Sequence, residues 1–146
     1  MAHLVDTNCA ARRLFPSDPQ YQCVRDAIDR LRMLGEVLYI TPQVLVEFHA
    51  LATRPITANG LGMSPAQACF EASRLELIFP IAEEIPTIYP LWRKLVDTYG
   101  VIGRQVYDAR LVAIMQTYGI TNILTLNPKD FSRFQGITVV EPKNVV

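Results

Sequence analysis

The sequence is short of what a basic nucleic-acid binder, a disulfide scaffold or a membrane protein needs. Lys+Arg and Asp+Glu are 14 each over 146 residues, so the net charge is zero. A protein that grips nucleic acid by counter-ion release carries a basic excess. Here any such role has to come from a local patch or a metal ion. The three cysteines, Cys9, Cys23 and Cys69, are odd in number and lack CxxC spacing. That argues against a disulfide framework and a zinc site, and fits a reducing cytoplasm. His49 has no second histidine at ligand spacing and reads as a surface or packing residue. No apolar run approaches the ~20 residues of a membrane span. The apolar start is too short for a signal peptide, because Asp6 interrupts it. Internal repeats, low-complexity tracts and linkers are missing too. The remainder is 50% hydrophobic, enough to build one compact domain over residues 1–146.

The first apolar run, His3-Leu4-Val5, stops at Asp6-Thr7-Asn8. It reads as a buried strand with a carboxylate at its exit. In open parallel sheets that end of the strand faces the ligand crevice. Asp6 or Asn8 also suits the N-cap of a following helix, and this stretch alone fits both readings. Cys9 to Phe15 forms a short helix stopped by Pro16. Asp18-Pro19 opens a second helix with Val24, Ile28, Leu31 and Leu34 on one face, ending at Gly35. Val37–Ile40 is the second strand, completing a right-handed βαβ unit.

Thr41-Pro42 starts a third helix, in which Glu47 has Val44 and Leu51 as i−3 and i+4 neighbours. Glu47 therefore lies at the edge of an apolar face, or else points outward as an ordinary helical glutamate. Thr53 to Gly62 carries two glycines and reads as an exposed, mobile loop; it lacks the Lys-Ser/Thr of a phosphate cradle. Ser64-Pro65-Ala66-Gln67 is a capping-box start for a helix to about Leu77. Ile78–Ile81 reads as a short edge strand and Glu83 to Tyr99 as a helix broken near Pro86 and Pro90. Gly103 to Arg110 begins a helix with Leu111, Val112 and Met115 on the face of Asp108. Its dipole favours the ionised form of Asp108, and Arg104 is placed to pair with it across one turn. Ile123–Leu126 is another buried strand, followed by Asn127-Pro128 as a cap and first helical residue, with Asp130 in the first turn. Ile137–Val140 is the last strand.

These elements alternate as in an α/β protein: a three-layer α/β/α sandwich around a mostly parallel sheet of four to five strands. In that architecture the strand ends carrying Asp6 and Asp130 and the early helical turns carrying Glu47 and Asp108 share one face. Two unit charges ~4 Å apart cost about 4 kcal/mol at an effective dielectric near 20. Such a cluster persists only if some groups protonate or a cation offsets them. Oxygen donors without a cysteine or histidine set point to Mg²⁺ or Mn²⁺. The matching chemistry is metal-assisted attack of water on a phosphodiester.

Leu4-Val5-Asp6-Thr7-Asn8, Glu47 after its apolar stretch, Val106-Tyr107-Asp108-Ala109-Arg110-Leu111 and Leu124-Thr125-Leu126-Asn127-Pro128-Lys129-Asp130-Phe131 together resemble the PIN-domain family, in particular VapC-like ribonuclease toxins. The resemblance runs over essentially the whole chain. It implies a parallel-sheet α/β/α fold and an Mg²⁺- or Mn²⁺-dependent endoribonuclease cutting RNA. It also implies a cognate antitoxin and a homodimer. The family's first three acids map to Asp6, Glu47 and Asp108, which also hold the metal. The fourth position carries Asn127 where some members have Asp, with Asp130 one turn on as the remaining carboxylate. Thr7, Asn8, Asn127 and Arg104 support the site or the substrate. Arg54 and Arg110 are further candidates for RNA phosphates or antitoxin carboxylates. A catalytically silent module that binds RNA or protein is the competing reading. A phosphatase using Asp6 as nucleophile lacks the second aspartate it needs two residues on, where Asn8 stands.

Overall fold

The computed structural model describes every residue from Met1 to Val146. Its centre is a four-stranded sheet in the order β2-β1-β3-β4, made of β1 (Ala2–Val5), β2 (Val37–Tyr39), β3 (Asn122–Leu124) and β4 (Thr138–Val140). All three pairings are parallel, with Leu4 opposite Tyr39 on one side and Ile123 on the other. Parallel sheets need both faces covered, and the helices α1 (Thr7–Arg12), α2 (Tyr21–Met33), α3 (Pro42–Thr53), α4 (Pro65–Ile78), α5 (Ile88–Tyr99) and α6 (Gln105–Tyr118) supply the cover. One continuous hydrophobic cluster joins the strands, with Leu4, Val5, Ile123 and Leu124 fully buried, to Phe48, Leu75, Leu111, Ile114 and Phe131. The α/β sandwich expected from the sequence is the fold observed.

Several boundaries differ from the sequence expectation, each for a local reason. Asp18 does not cap α2. Its carboxylate accepts from the Gln20 N–H at 2.8 Å and ion-pairs with Arg12, so Asp18–Gln20 forms a turn and the helix begins at Tyr21. The short helix after Asp6 starts at Thr7 and stops at Arg12. The expected edge strand Ile78–Ile81 is not formed. Ile78 still belongs to α4, Phe79 ends it, and only a single parallel bridge, Ile40 to Ile81, extends the sheet. The stretch from Glu83 to Thr87 is not helical, and α5 begins at Ile88. Pro86 disfavours helical geometry at the residue before it.

The Thr53–Gly62 loop is folded back, not free. Leu61, Gly62 and Met63 donate their N–H groups to Leu51, Arg54 and Ala52 carbonyls at 3.1, 2.9 and 2.8 Å. This fold-back requires glycine at position 60, where a Cβ would lie 1.9 Å from the Arg54 oxygen. Two caps behave as the sequence predicts. Thr41 accepts from the Val44 N–H at 3.1 Å, and Ser64 with Gln67 forms a reciprocal capping box.

Candidate active site

Asp6 sits one residue beyond β1, and its N–H still donates to the Leu124 carbonyl at 3.0 Å, as a strand residue would. This holds the backbone at the carboxyl edge of the sheet. The side chain is 6% exposed. Its Oδ1 accepts from the Thr7 N–H at 2.8 Å, capping α1, while Oδ2 accepts from Thr125 Oγ1 at 2.8 Å and Asn8 Nδ2 at 3.2 Å. Asp6 therefore caps α1 and also lies at the strand end among the other acids. Burial pushes its pKa up to about 6 despite these donors, and Glu47 and Asp130 push in the same direction.

Asn8 acts as a clamp across the strand ends. Its amide donates to Asp6 and to Thr125 Oγ1, and its Oδ1 accepts from the Leu126 N–H at 3.1 Å. Thr7 Oγ1 donates to Glu47 Oε2 at 2.7 Å, tying α1 to α3. Glu47 faces the cluster, so the outward-pointing alternative is excluded. Asp108 lies half-buried in the first turn of α6. Its pKa is raised to about 7, first by desolvation and then by Asp130, Asp6 and Glu47; Arg104 opposes the rise through space only. The helix dipole was expected to keep Asp108 ionised. Burial and three neighbouring carboxylates outweigh it. The expected Arg104–Asp108 ion pair is not formed, and Arg104 is exposed at the helix start.

Asp130 closes a single 3₁₀ turn, Pro128–Asp130, and its charge acts on both Asp6 and Asp108. Asn127 makes no side-chain cap; it is exposed, and its backbone N–H donates to Thr125 Oγ1 at 3.0 Å. The structure thus brings Asp6, Glu47, Asp108 and Asp130 within electrostatic reach of one another. They do not converge into a ready-made chelate of three or more side chains. Uncompensated carboxylates repel, and the hydrogen bonds to Asp6 and Glu47 hold two of them apart. A surface depression of about 690 Å³ lies beside α5, lined by Tyr89, Lys94 and Val101, and contains none of these residues. The electrostatic coupling among the acids marks the candidate site.

Three participants escaped the sequence reading. Thr125 is fully buried, and its hydroxyl serves Asp6, Asn8 and Asn127 at once. Gln43 donates to Glu47 Oε1 and the Tyr107 carbonyl, each at 2.7 Å. Glu84, in the segment expected to be helical, holds Arg110 through two bonds of 2.8 Å. Arg110 is therefore engaged within the protein and is not a free contact for phosphates. The strand-end position of Thr125 was a legible signal; Gln43, one turn before Glu47, was another. Glu84 left none.

The PIN domain family model matches residues 3–137. This chain is a PIN domain. Among similar proteins, "Ribonuclease VapC48" of Mycobacterium tuberculosis is 23% identical over 144 residues, covering 97% of this chain and 98% of that protein. Among solved structures, VapBC2 from Rickettsia felis bound to a promoter DNA fragment superposes with a TM-score of 0.72. It has 14% identity and covers 97% of this PIN domain and 98% of that chain. VapC20 from Mycobacterium tuberculosis, described as a sarcin-ricin loop cleaving toxin, gives 0.63 at 18% identity, with coverages of 90% and 94%. These structural likenesses bear on the fold, and they agree with the sheet order and helical cover of the PIN domain described above.

Proposed function

We propose that this PIN domain is a metal-dependent endoribonuclease that hydrolyses RNA phosphodiester bonds and serves as the toxin of a toxin–antitoxin pair. The observation that carries the reading is the carboxylate set of Asp6, buried, with Glu47, Asp108 and Asp130, half-buried, acting on one another at one edge of the sheet. The donors are all oxygen, which fits Mg²⁺ or Mn²⁺. The nearby thiol, Cys9, is pushed far up by burial and stays protonated, so it adds no soft ligand. Asp6, Glu47 and Asp108 would hold the ion, with Asp130, not Asn127, as the fourth carboxylate. When bound, such an ion lowers the pKa of water and offsets charge on the phosphate. The chain's own residues do the rest. Thr125, Asn8 and the Thr7 N–H fix Asp6, Thr7 Oγ1 fixes Glu47, and exposed Arg104 stands beside Asp108 as a contact for the RNA backbone.

The VapBC structures among the neighbours support a cognate antitoxin partner, and a homodimer in the cytoplasm completes the same reading. No helix is long and apolar enough to cross a membrane. The test is cleavage of a mixed RNA substrate with Mn²⁺ or Mg²⁺, with and without chelator, by wild type, Asp6→Ala and Asp108→Ala. Metal-dependent cleavage lost in both variants supports the reading; equal cleavage by the variants overturns it. The irregular fourth position, Asn127 with Asp130 one turn on, favours one competitor, a silent module that binds RNA or a partner protein. RNA binding that survives chelation, with no product formed, would select that competitor.

A further inference from the structure

We propose that Gln43, locked by Arg110 and Glu84, is a positioning residue that sets the placement of Glu47 relative to Asp108. The inference rests on the nuclease reading above and assigns a role to three residues outside the carboxylate set. Gln43 is 7% exposed and lies one helical turn before Glu47. Its side-chain amide has every group occupied. Nε2 donates to Glu47 Oε1 and to the carbonyl of Tyr107, each at 2.7 Å, and Oε1 accepts from Arg110 Nη1 at 2.9 Å. Tyr107 immediately precedes Asp108, so one amide joins the carboxylate of α3 to the peptide that carries the carboxylate of α6.

The orientation of that amide is decided by its partners. Arginine only donates, while an ionised carboxylate and a peptide carbonyl only accept. A flipped amide would replace three hydrogen bonds with three repulsive contacts. Arg110 is in turn fixed by two parallel bonds to Glu84, each 2.8 Å, the fork geometry that adds direction as well as strength. Arg110 first, and the Gln43 backbone N–H after it, hold the Glu84 carboxyl below its ordinary range. The chain Glu84–Arg110–Gln43–Glu47 therefore has a single satisfied arrangement. Thr7 holds the other oxygen of Glu47. Partners of this kind orient metal ligands, and losing one commonly costs 10–100-fold in metal affinity.

Electrostatics alone predicts the opposite sign, which makes the inference testable. Arg110 is a cation within Coulomb range of Glu47. Deleting it should strengthen binding of a second cation if charge were all that mattered. The experiment titrates Mn²⁺ into the purified full-length protein by electron paramagnetic resonance, for wild type, Arg110→Met, Gln43→Met and the double variant. Circular dichroism checks the fold, and RNA cleavage is measured alongside. The expected result is about tenfold weaker Mn²⁺ binding in each single variant, with the double variant no weaker than Gln43→Met, since Arg110 acts through Gln43. Arg110 is only partly buried, so Arg110→Met keeps the test valid should Gln43→Met fold poorly. Arg110→Met binding Mn²⁺ as tightly as wild type, or more tightly, overturns the proposal and leaves the nuclease reading standing. A wild type that binds no Mn²⁺ overturns both.

Discussion

Replacing Asp108 by Asn should stabilise the metal-free protein at pH 8 while abolishing its ability to gain stability from Mn²⁺. The carboxylate of Asp108 has no internal donor, and its pKa stands at about 7 against an ordinary 3.8 because of desolvation and three neighbouring acids. The folded state therefore holds a proton that the unfolded state releases between about pH 4 and pH 7. Fewer protons on the unfolded chain mean that stability falls as pH rises through this window, then levels off. The whole rise would correspond to roughly 4 kcal/mol, but the group is half open to solvent and screening reduces this to about 1–2 kcal/mol. For a chain of this size that is a melting-temperature gain of about 3–6 °C for Asp108→Asn at pH 8 in EDTA. At pH 4.5 roughly a quarter to a half of the gain should remain. With Mn²⁺ at a hundred times its dissociation constant, wild type gains about 2.7 kcal/mol and the order reverses. Thermal unfolding followed by circular dichroism reads all of these conditions. A variant less stable than wild type at pH 8 in EDTA, or equally favoured at both pH values, would refute the reasoning.

Mn²⁺ affinity measured by calorimetry should tighten between pH 5.5 and 7.5 with proton release, because Asp6 and Asp108, at about 6 and 7, must both lose protons to bind it; a flat profile would mean that neither is a ligand. Thr125→Val keeps shape but removes a buried hydroxyl that serves three partners, and urea unfolding should show a loss of about 1–3 kcal/mol. Phe131 is fully buried beside Asp130. Phe131→Ala should cost about 3–5 kcal/mol in the same assay and lower cleavage by loosening the turn that carries Asp130; unchanged stability would show that the ring does not anchor that turn.

The order of strands and helices could be read from the chain because buried parallel strands are short apolar runs with abrupt ends, as at Val5-Asp6; the strand expected at Ile123–Leu126 stops at Leu124, where Thr125 turns its hydroxyl to Asp6. The acids at those ends could be read for the same reason. Boundaries failed where a proline or a side chain competed with the helix, as at Asp18 and Pro86. The edge strand at Ile78–Ile81 failed because the α4 helix runs through Ile78, leaving one bridging residue. The protonation of Asp108 was misjudged because the local dipole is visible in sequence, whereas acids up to 102 positions away in the chain are not. The engagement of Arg110 was not legible either, since its partner Glu84 lies in a stretch expected to be helical that is not helical. Local pattern fixes elements; the polar network between them depends on distances that only the folded chain supplies.

The bond from Thr125 to Asp6 joins residues 119 positions apart, and β1 takes its place in the middle of the sheet only when β3 arrives beside it. On a ribosome the first-made strand must therefore wait for one of the last-made. Until that late segment emerges, Asp6 has neither its anchoring hydroxyl nor its neighbour Asp130, and a half-finished polypeptide carries the first acid without the set it belongs to.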